Sequence, residues 1–206
     1  MQRGKQLMKT YQHGVIMTRT DIINNFIKDR NYKSYLEIGC FRNENFNKII
    51  IDNKVSVDPD KEAHATYCMT SDEFFKDNKD TFDIVFIDGL HEHNQVYRDI
   101  YNSLEHLNPN GIIVMHDCMP KNEKMQLWDN KSHQHEEWTG DTWKAYYKAY
   151  KELPYKVYVI DTDYGCGVID TSSNKLPDTK KVFMNDLKWT DYLYYTSTSQ
   201  YGIINV

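Results

Sequence analysis

Acidic side chains and histidines follow four apolar segments of this 206-residue chain, at the point where each segment ends. The four groups are Glu37-Ile38-Gly39, Asp58-Pro59, Asp88-Gly89-Leu90-His91 and His116-Asp117. Carboxylates and imidazoles can accept hydrogen bonds from hydroxyl groups, bind a cation or transfer a proton. Their recurrence at the ends of apolar segments indicates one shared site rather than four unrelated surface features.

The first two groups have the spacing of a nucleoside site. Gly39 would let a ligand approach the backbone, and Asp58, about twenty residues after Glu37, would accept hydrogen bonds from ribose hydroxyls. Cys40-Phe41-Arg42-Asn43 follows Gly39, so the glycine fingerprint that packs against a pyrophosphate is absent. The pattern therefore favours S-adenosylmethionine over NAD. The alternative is that Gly39 merely ends a strand and Asp58 caps a turn.

The last two groups could hold a divalent cation beside an acceptor. Asp88 and the pair His116-Asp117 would meet at neighbouring strand ends and leave coordination positions for water or a substrate hydroxyl. His91 is the candidate general base because the usual pKa of an imidazole lies near neutrality, and Asp88 is the alternative base. The competing interpretation is structural, with Asp117 capping a turn and His116 filling space.

A third group of residues opens the helix after a long polar stretch. Trp138 and Trp143 could stack against a sugar face, and Asp141 could bind its hydroxyls. Ordinary packing and helix capping explain these residues equally well. Residues 133–137 resemble a metal cluster in composition, but we expect them to be solvated.

The elements that would position these residues alternate between short strands and helices, which is typical of an α/β domain. Buried strands are predicted at 34–38, 54–57, 82–87 and 112–115, with a weak strand at 63–68 and a hairpin at 155–160 and 165–170. Helices are predicted at 20–30, 43–51, 94–107 and 141–153, and the tail is expected to form a helix and an extended end.

Length and composition favour a single domain over residues 1–206, with a helical N-terminal region at 1–33 and a lid or acceptor loop at 118–140. The net charge of −5 argues against a nucleic-acid partner, and the lack of a long apolar run argues against a membrane. Four separated cysteines are expected to be free thiols in a reducing, cytoplasmic compartment. The sequence leaves open whether the protein forms a homo-oligomer.

The motifs Tyr35-Leu36-Glu37-Ile38-Gly39, Val57-Asp58-Pro59, 82–89 and 107–113 together resemble, in order, those of class I S-adenosylmethionine-dependent methyltransferases. The resemblance implies a Rossmann-like three-layer sandwich whose seven-stranded, mostly parallel sheet has a reversed last strand. It also implies a cofactor site, in which Glu37 and Gly39 lie near the methionine, Asp58 and Pro59 near the ribose, and Met69, Thr70 and Ser71 near the adenine. Cys40 and Asp88 would complete it, although the family's second glycine is missing after Gly39.

The acids after the later strands resemble those of metal-dependent sugar O-methyltransferases, such as the macrocin and mycinamicin enzymes and glycan methyltransferases of bacteria and large algal viruses. This implies methyl transfer to a sugar or glycan hydroxyl, with Asp88, His116 and Asp117 holding Mg²⁺ or Mn²⁺. The family has two acids where this chain has His116-Asp117. Open alternatives are methylation of a catechol-like molecule or of a nucleic acid, an NAD- or nucleotide-sugar-dependent enzyme, and a non-catalytic relic.

Overall fold

A computed structural model describes residues 17–128 and 137–205 of the chain. The remaining parts of the predicted N-terminal region and of the predicted loop at 118–140 lie outside the described residues. The helices are α1 (Arg19–Arg30), α2 (Ser71–Asp77), α3 (His93–Glu105), α4 (Thr142–Glu152) and α5 (Trp189–Ser197). The strands are β1 (Ser34–Ile38), β2 (Asn53–Val57), β3 (Phe82–Ile87), β4 (Leu107–Met115), β5 (Tyr155–Ile160), β6 (Cys166–Asn174) and β7 (Ile203–Ile204).

The seven strands form one sheet in the order β2-β1-β3-β4-β6-β5-β7. Only β6 runs against its neighbours, pairing antiparallel with β4 and β5, whereas the other pairings are parallel. The predicted mostly parallel, Rossmann-like sheet with one reversed strand is therefore confirmed. The reversed strand is not the last along the chain, because two-residue β7 follows it and pairs with β5.

Hydrophobic cores cover both faces of the sheet, which makes three layers. On one face, Ile22, Ile23 and Ile27 of α1 pack on the central strands. On the other face, the apolar sides of the remaining helices build the larger core, in which Ile100 and Trp143 are completely buried. Burial on both faces explains why the central strands have nearly continuous apolar sequences. No helix within the described ranges is long and apolar enough to cross a bilayer.

Two sequence predictions beside the site were wrong. The predicted helix at 43–51 is a series of turns with one short 3₁₀ helix, Phe46–Lys48. Asn43 has a positive φ of 58°, and the Asn45 side chain is drawn inward to donate to Glu37. The predicted strand at 63–68 forms a single bridge between Val57 and Tyr67, and a positive φ of 52° at His64 interrupts it.

Candidate active site

The carboxyl ends of β1, β2, β3 and β4 surround a cavity of about 690 Å³. Parallel α/β sheets bind ligands at this edge, because the loops after neighbouring strands converge there. The cavity brings together ten of the residues predicted from sequence to form a site. These are Gly39, Asp58, Pro59, Thr70, Ser71, Asp88, His91, His116, Asp117 and Trp138.

The Gly39 turn lies directly against the end of β3. Gly39 has a φ of +79°, and a Cβ added there would lie 2.3 Å from Gly89 Cα and 2.4 Å from the carbonyl oxygen of Asp88. Its backbone N–H donates to Val57, which ties the ends of β1 and β2 together at 2.8 Å. Only glycine fits both the left-handed backbone and the close approach. Because Gly39 has no side chain, a ligand in the cavity can approach the backbone of this turn.

Asp58 reaches from the end of β2 to that turn. Its Oδ2 accepts the backbone N–H groups of Cys40 and Phe41, each at 3.0 Å, and its Oδ1 accepts that of Asp60 at 2.9 Å. The turn-capping interpretation is therefore correct in part. Because the carboxylate also lines the cavity and each oxygen can accept more than one hydrogen bond, ribose hydroxyls can still bind it.

The predicted adenine end of the cavity is polar and contains an acid that the sequence did not suggest. The Ser71 hydroxyl donates to Asp99 of α3 at 2.6 Å, and the amide of Gln95 donates to the same oxygen at 3.1 Å. Burial raises the pKa of Asp99 to about 6, against the lowering effect of these hydrogen bonds. Thr70 caps α2 through a capping box with Glu73. The apolar spacing of α3 indicated only a helix that packs on the sheet. Asp99 was therefore not among the predicted site residues.

A cluster of acids and histidines forms the opposite wall. Nδ1 of His116 lies 3.2 Å from Oδ1 of Asp88 and 3.2 Å from Oδ2 of Asp117. The His91 ring bridges the same two carboxylates, with Nε2 3.4 Å from Asp88 and Nδ1 3.3 Å from Asp117. The positive φ of Asp117, 59°, turns its side chain back toward the histidines. The predicted metal ligands and the predicted base thus lie together.

Arg19, which sequence reasoning missed, also belongs to this cluster. Its Nη1 lies 2.7 Å from Oδ2 of Asp88 and 3.0 Å from Nδ1 of His116. Its Nε and its backbone N–H both donate to Asp163, at 3.1 and 2.9 Å. The guanidinium therefore lies against two of the three predicted metal ligands, and Asp163 holds it from the other side.

The charges of the cluster shift its protonation equilibria. Burial opposes the charged form of Asp88, but the charge of His116 and hydrogen bonds from the two imidazoles hold the pKa of Asp88 well below its usual range. Burial likewise opposes charge on His116, yet the nearby carboxylates raise its pKa well above the usual value. The pKa of His91 is raised in the same way. The carboxylates therefore attract positive charge into the cluster.

The donor set fits a divalent cation. Asp88, His116 and Asp117 offer one imidazole nitrogen and two carboxylate oxygens within 4.8 Å of one another. Buried His91 Nδ1 and His116 Nε2 make no hydrogen bond of good geometry, although they lie 3.3 Å from Asp117 and 3.4 Å from Asp163. With neutral imidazoles, the carboxylates of Asp88, Asp117 and Asp163 exceed the single guanidinium by two negative charges. A mixed nitrogen and oxygen set of this kind suits Mn²⁺ or a similar ion.

Five predicted site residues do not line the cavity: Glu37, Cys40, Met69, Asp141 and Trp143. Glu37 is buried on the α1 side of the sheet, where the Tyr35 hydroxyl and Asn45 donate to it, and burial raises its pKa to about 7. Cys40 is buried and reaches the site through its backbone N–H. Met69 packs at the edge of the larger core. Trp143 is completely buried and donates to Gln126, so the acceptor role proposed for it has no surface to act through.

The remaining acceptor candidates lie on two sides of His91. The Trp138 ring stacks on the His91 ring at 5.2 Å and lines the cavity. Asp141 donates its backbone N–H to the His91 carbonyl, but its carboxylate points away and pairs with His93 at 2.7 Å. Its side chain makes no capping hydrogen bond to α4. Trp138 therefore lines the cavity, whereas the carboxylate of Asp141 does not.

Comparisons with known proteins agree with this architecture. Residues 32–118 match a family described as a methyltransferase domain. No curated protein matches the chain. The structure of Podospora anserina methyltransferase PaMTH1, bound to S-adenosylhomocysteine (SAH), is similar at 15% identity and a TM-score of 0.58, over 74% of this chain and 77% of that one.

Two further solved structures show the same fold. An O-methyltransferase from Bacillus cereus in complex with SAH has 12% identity and a TM-score of 0.54, over 77% of this chain and 83% of its own. TomG, an O-methyltransferase from Streptomyces achromogenes involved in tomaymycin synthesis and bound to S-adenosylmethionine, has 11% identity and a TM-score of 0.54, over 74% and 78%. At these identities the similarity concerns the fold.

Proposed function

We propose that this chain, whose matched domain and fold support an S-adenosylmethionine-dependent methyltransferase, transfers the methyl group to a hydroxyl of a sugar or glycan with a divalent cation. One observation carries the proposal. A single cavity holds a nucleoside-type wall, Gly39 and Asp58, and an acid–histidine wall, Asp88, His91 and His116. The first wall suits the cofactor and the second suits an acceptor hydroxyl.

The roles of the chain's residues follow from their contacts. Gly39 and Asp58 would bind the cofactor, and Asp88, His116 and Asp117 would hold the cation, which when bound lowers the pKa of an acceptor hydroxyl. His91 would be the base in its neutral form, and its contacts with the two carboxylates and with Trp138 would hold the ring in place. Most of the rate enhancement would come from this positioning.

A sugar acceptor is supported by the residues around the acid–histidine cluster. Trp138 and Tyr164 line the cavity and offer flat apolar surfaces, and the carboxylates can accept hydrogen bonds from hydroxyl groups. The formal net charge of −5 disfavours a polyanionic nucleic acid. We also carry a catechol-like acceptor as a second candidate, because Trp138 and Tyr164 could hold an aromatic ring.

The test is a methylation assay with the purified chain, S-adenosylmethionine and Mn²⁺, in which SAH formation is measured. Simple sugars, disaccharides and catechols serve as acceptors, with excess EDTA in a parallel series. We expect turnover with saccharides that EDTA abolishes and that Asp88→Asn lowers at least about 100-fold, while SAH binding persists. Turnover with catechols alone would select the second candidate, and full activity in EDTA would remove the cation from the proposal.

A further inference from the structure

A second cavity of about 500 Å³ lies beside the first, between the start of α4, the start of α5 and the 3₁₀ helix Glu123–Gln126. Its lining combines two tryptophans with charged and amide side chains: Gln126, Trp128, Asp141, Lys144, Lys188 and Trp189. None of the predicted cofactor or metal residues contributes to it. Its volume is in the usual range for a small-molecule site.

The tryptophans of this cavity have ring surface available for a ligand. Trp128 is 45% exposed, and its indole N–H donates to Oδ1 of Asp141, which fixes the ring. Trp189 stacks on Tyr192 at 4.7 Å and is only partly buried, so one face is packed and another borders the cavity. Flat, fixed aromatic faces of this kind suit the apolar face of a sugar ring.

The polar side chains of the second cavity suit hydroxyl groups rather than an anion. Glu123 and Asp141 balance Lys144 and Lys188, so its charged lining sums to zero. Asp141 and Lys144 form an ion pair at 3.1 Å, in which the Lys144 ammonium keeps further hydrogens to donate, whereas Asp141 already accepts from His93 and Trp128. A neutral ligand that both donates and accepts hydrogen bonds matches this lining. Phosphate groups would meet the two carboxylates.

An unbroken series of ring contacts joins the two cavities. Trp138 stacks on His91 in the first cavity, and its ring meets the Trp128 ring edge-to-face at 4.8 Å in the second. The Trp138 indole also donates to the carbonyl of Leu127, which lines the second cavity. His91 and Trp128 are thus separated by a single ring, that of Trp138.

We propose that the second cavity is a subsite for the neighbouring sugar unit of an oligosaccharide acceptor. This inference rests on the proposed sugar methylation and extends it from a single sugar to a chain. Trp128 and Trp189 form the stacking surface, and Lys188 donates to ring hydroxyls. The subsite makes the enzyme prefer a disaccharide over its constituent monosaccharide.

The experiment compares kcat/KM for glucose, galactose and mannose with those for cellobiose, lactose and mannobiose. We expect at least a tenfold preference for one disaccharide over its monosaccharide. Trp128→Ala and Lys188→Ala should each reduce this preference to below threefold. Lys188→Ala should leave monosaccharide turnover and SAH binding within twofold, whereas Trp128→Ala also removes the ring against which Trp138 packs. Phe183→Ala is the matched control, because this aromatic side chain is 68% exposed and lines neither cavity.

The outcomes separate the subsite from the proposed function. Equal kcat/KM for both sugar lengths, or a preference that survives both substitutions, overturns the subsite and leaves sugar methylation intact. If no saccharide is methylated, the proposed function fails, and saturation-transfer NMR with the same disaccharides decides the subsite. Binding that both substitutions abolish supports it, and absence of binding to the native protein overturns it.

Discussion

Replacing Arg19 tests how the acid–histidine cluster holds a cation. The guanidinium lies 2.7 Å from Asp88 and 3.0 Å from Nδ1 of His116, so a divalent ion can use both ligands only after Arg19 withdraws. Its bonds to Asp163 give it a place to withdraw to. We therefore expect Arg19→Gln to bind Mn²⁺ more tightly than the native protein.

The size of this effect follows from the geometry. A unit charge and a divalent ion about 4 Å apart repel each other by about 8 kcal/mol at an effective dielectric constant of about 20. The Arg19 side chain is 32% exposed and free to move away from the ion, so solvent screening removes much of that repulsion. A net effect of about 1.5–3 kcal/mol is left, which corresponds to a roughly 10- to 100-fold lower Kd.

Calorimetric titration with Mn²⁺ at a fixed pH measures the change. Arg19→Lys is the matched control, because it keeps the positive charge and should bind Mn²⁺ within a few-fold of the native protein. Asp88→Asn in the Arg19→Gln background should abolish binding, which would locate the ion at the cluster. A Kd for Arg19→Gln that is within threefold of the native value, or higher than it, would refute the competition between Arg19 and Mn²⁺.

Three further predictions concern Asp58, Gly39 and the buried acid Glu37. Asp58→Ala should weaken SAH binding at least about tenfold in calorimetry, since it removes charge-assisted acceptors worth about 1.5–3 kcal/mol; unchanged affinity would contradict the cofactor assignment. Gly39→Ala should lower the free energy of unfolding in urea by about 2–4 kcal/mol. Gly89→Ala should change it little, because its Cβ would meet nothing closer than 3.5 Å. Because burial raises the pKa of Glu37 from 4.5 to about 7, the folded state favours the protonated acid, and stability should fall as the pH rises through this range, by roughly 3 kcal/mol at most. The stability of Glu37→Gln should depend less on pH. A pH dependence as steep as that of the native protein would show that Glu37 is not its cause.

The sequence was informative where the sheet itself brings residues together. Asp58, Asp88 and His116 each follow a buried parallel strand, and parallel strands place their carboxyl ends at one edge, so their convergence could be predicted. Arg19 and Asp163 could not, because they lie 69 and 144 positions from their partners, Asp88 and Arg19 respectively, in segments that do not precede or follow those strands. No local pattern encodes such a contact.

The helix predicted at 43–51 failed for a related reason. Its apolar spacing is compatible with a helix, but Asn45 donates to buried Glu37 and Lys54 donates to the carbonyls of Phe46 and Ile49. In a regular helix the Phe46 carbonyl would accept the Ile50 N–H, but here Lys54 donates to that carbonyl and the Ile50 N–H donates to Asn24. Tertiary hydrogen bonds thus override the local preference for a helix. The sequence shows which side chains can donate but not which acceptors they reach in the fold.

The sheet topology that creates the site also brings negative charges together, which is unfavourable for the folded protein when no cation is bound. Strand ends bring Asp88 and Asp117 together in a largely buried place, and Arg19, with the two histidines, supplies the compensating charge. Removing one partner of a buried ion pair can cost about 3–5 kcal/mol, and partial exposure of Arg19 reduces that cost. Arg19→Gln should therefore be less stable than the native protein in EDTA.

Mn²⁺ should reduce that difference in stability. A ligand that binds only the folded state raises its stability in proportion to the logarithm of its concentration over Kd, so the variant with the lower Kd gains more. Thermal unfolding of both proteins across a Mn²⁺ series should show the difference in Tm shrink as the ion saturates. A constant difference would mean that Arg19 stabilises the fold independently of the ion, and the guanidinium and the divalent cation would then not share one site.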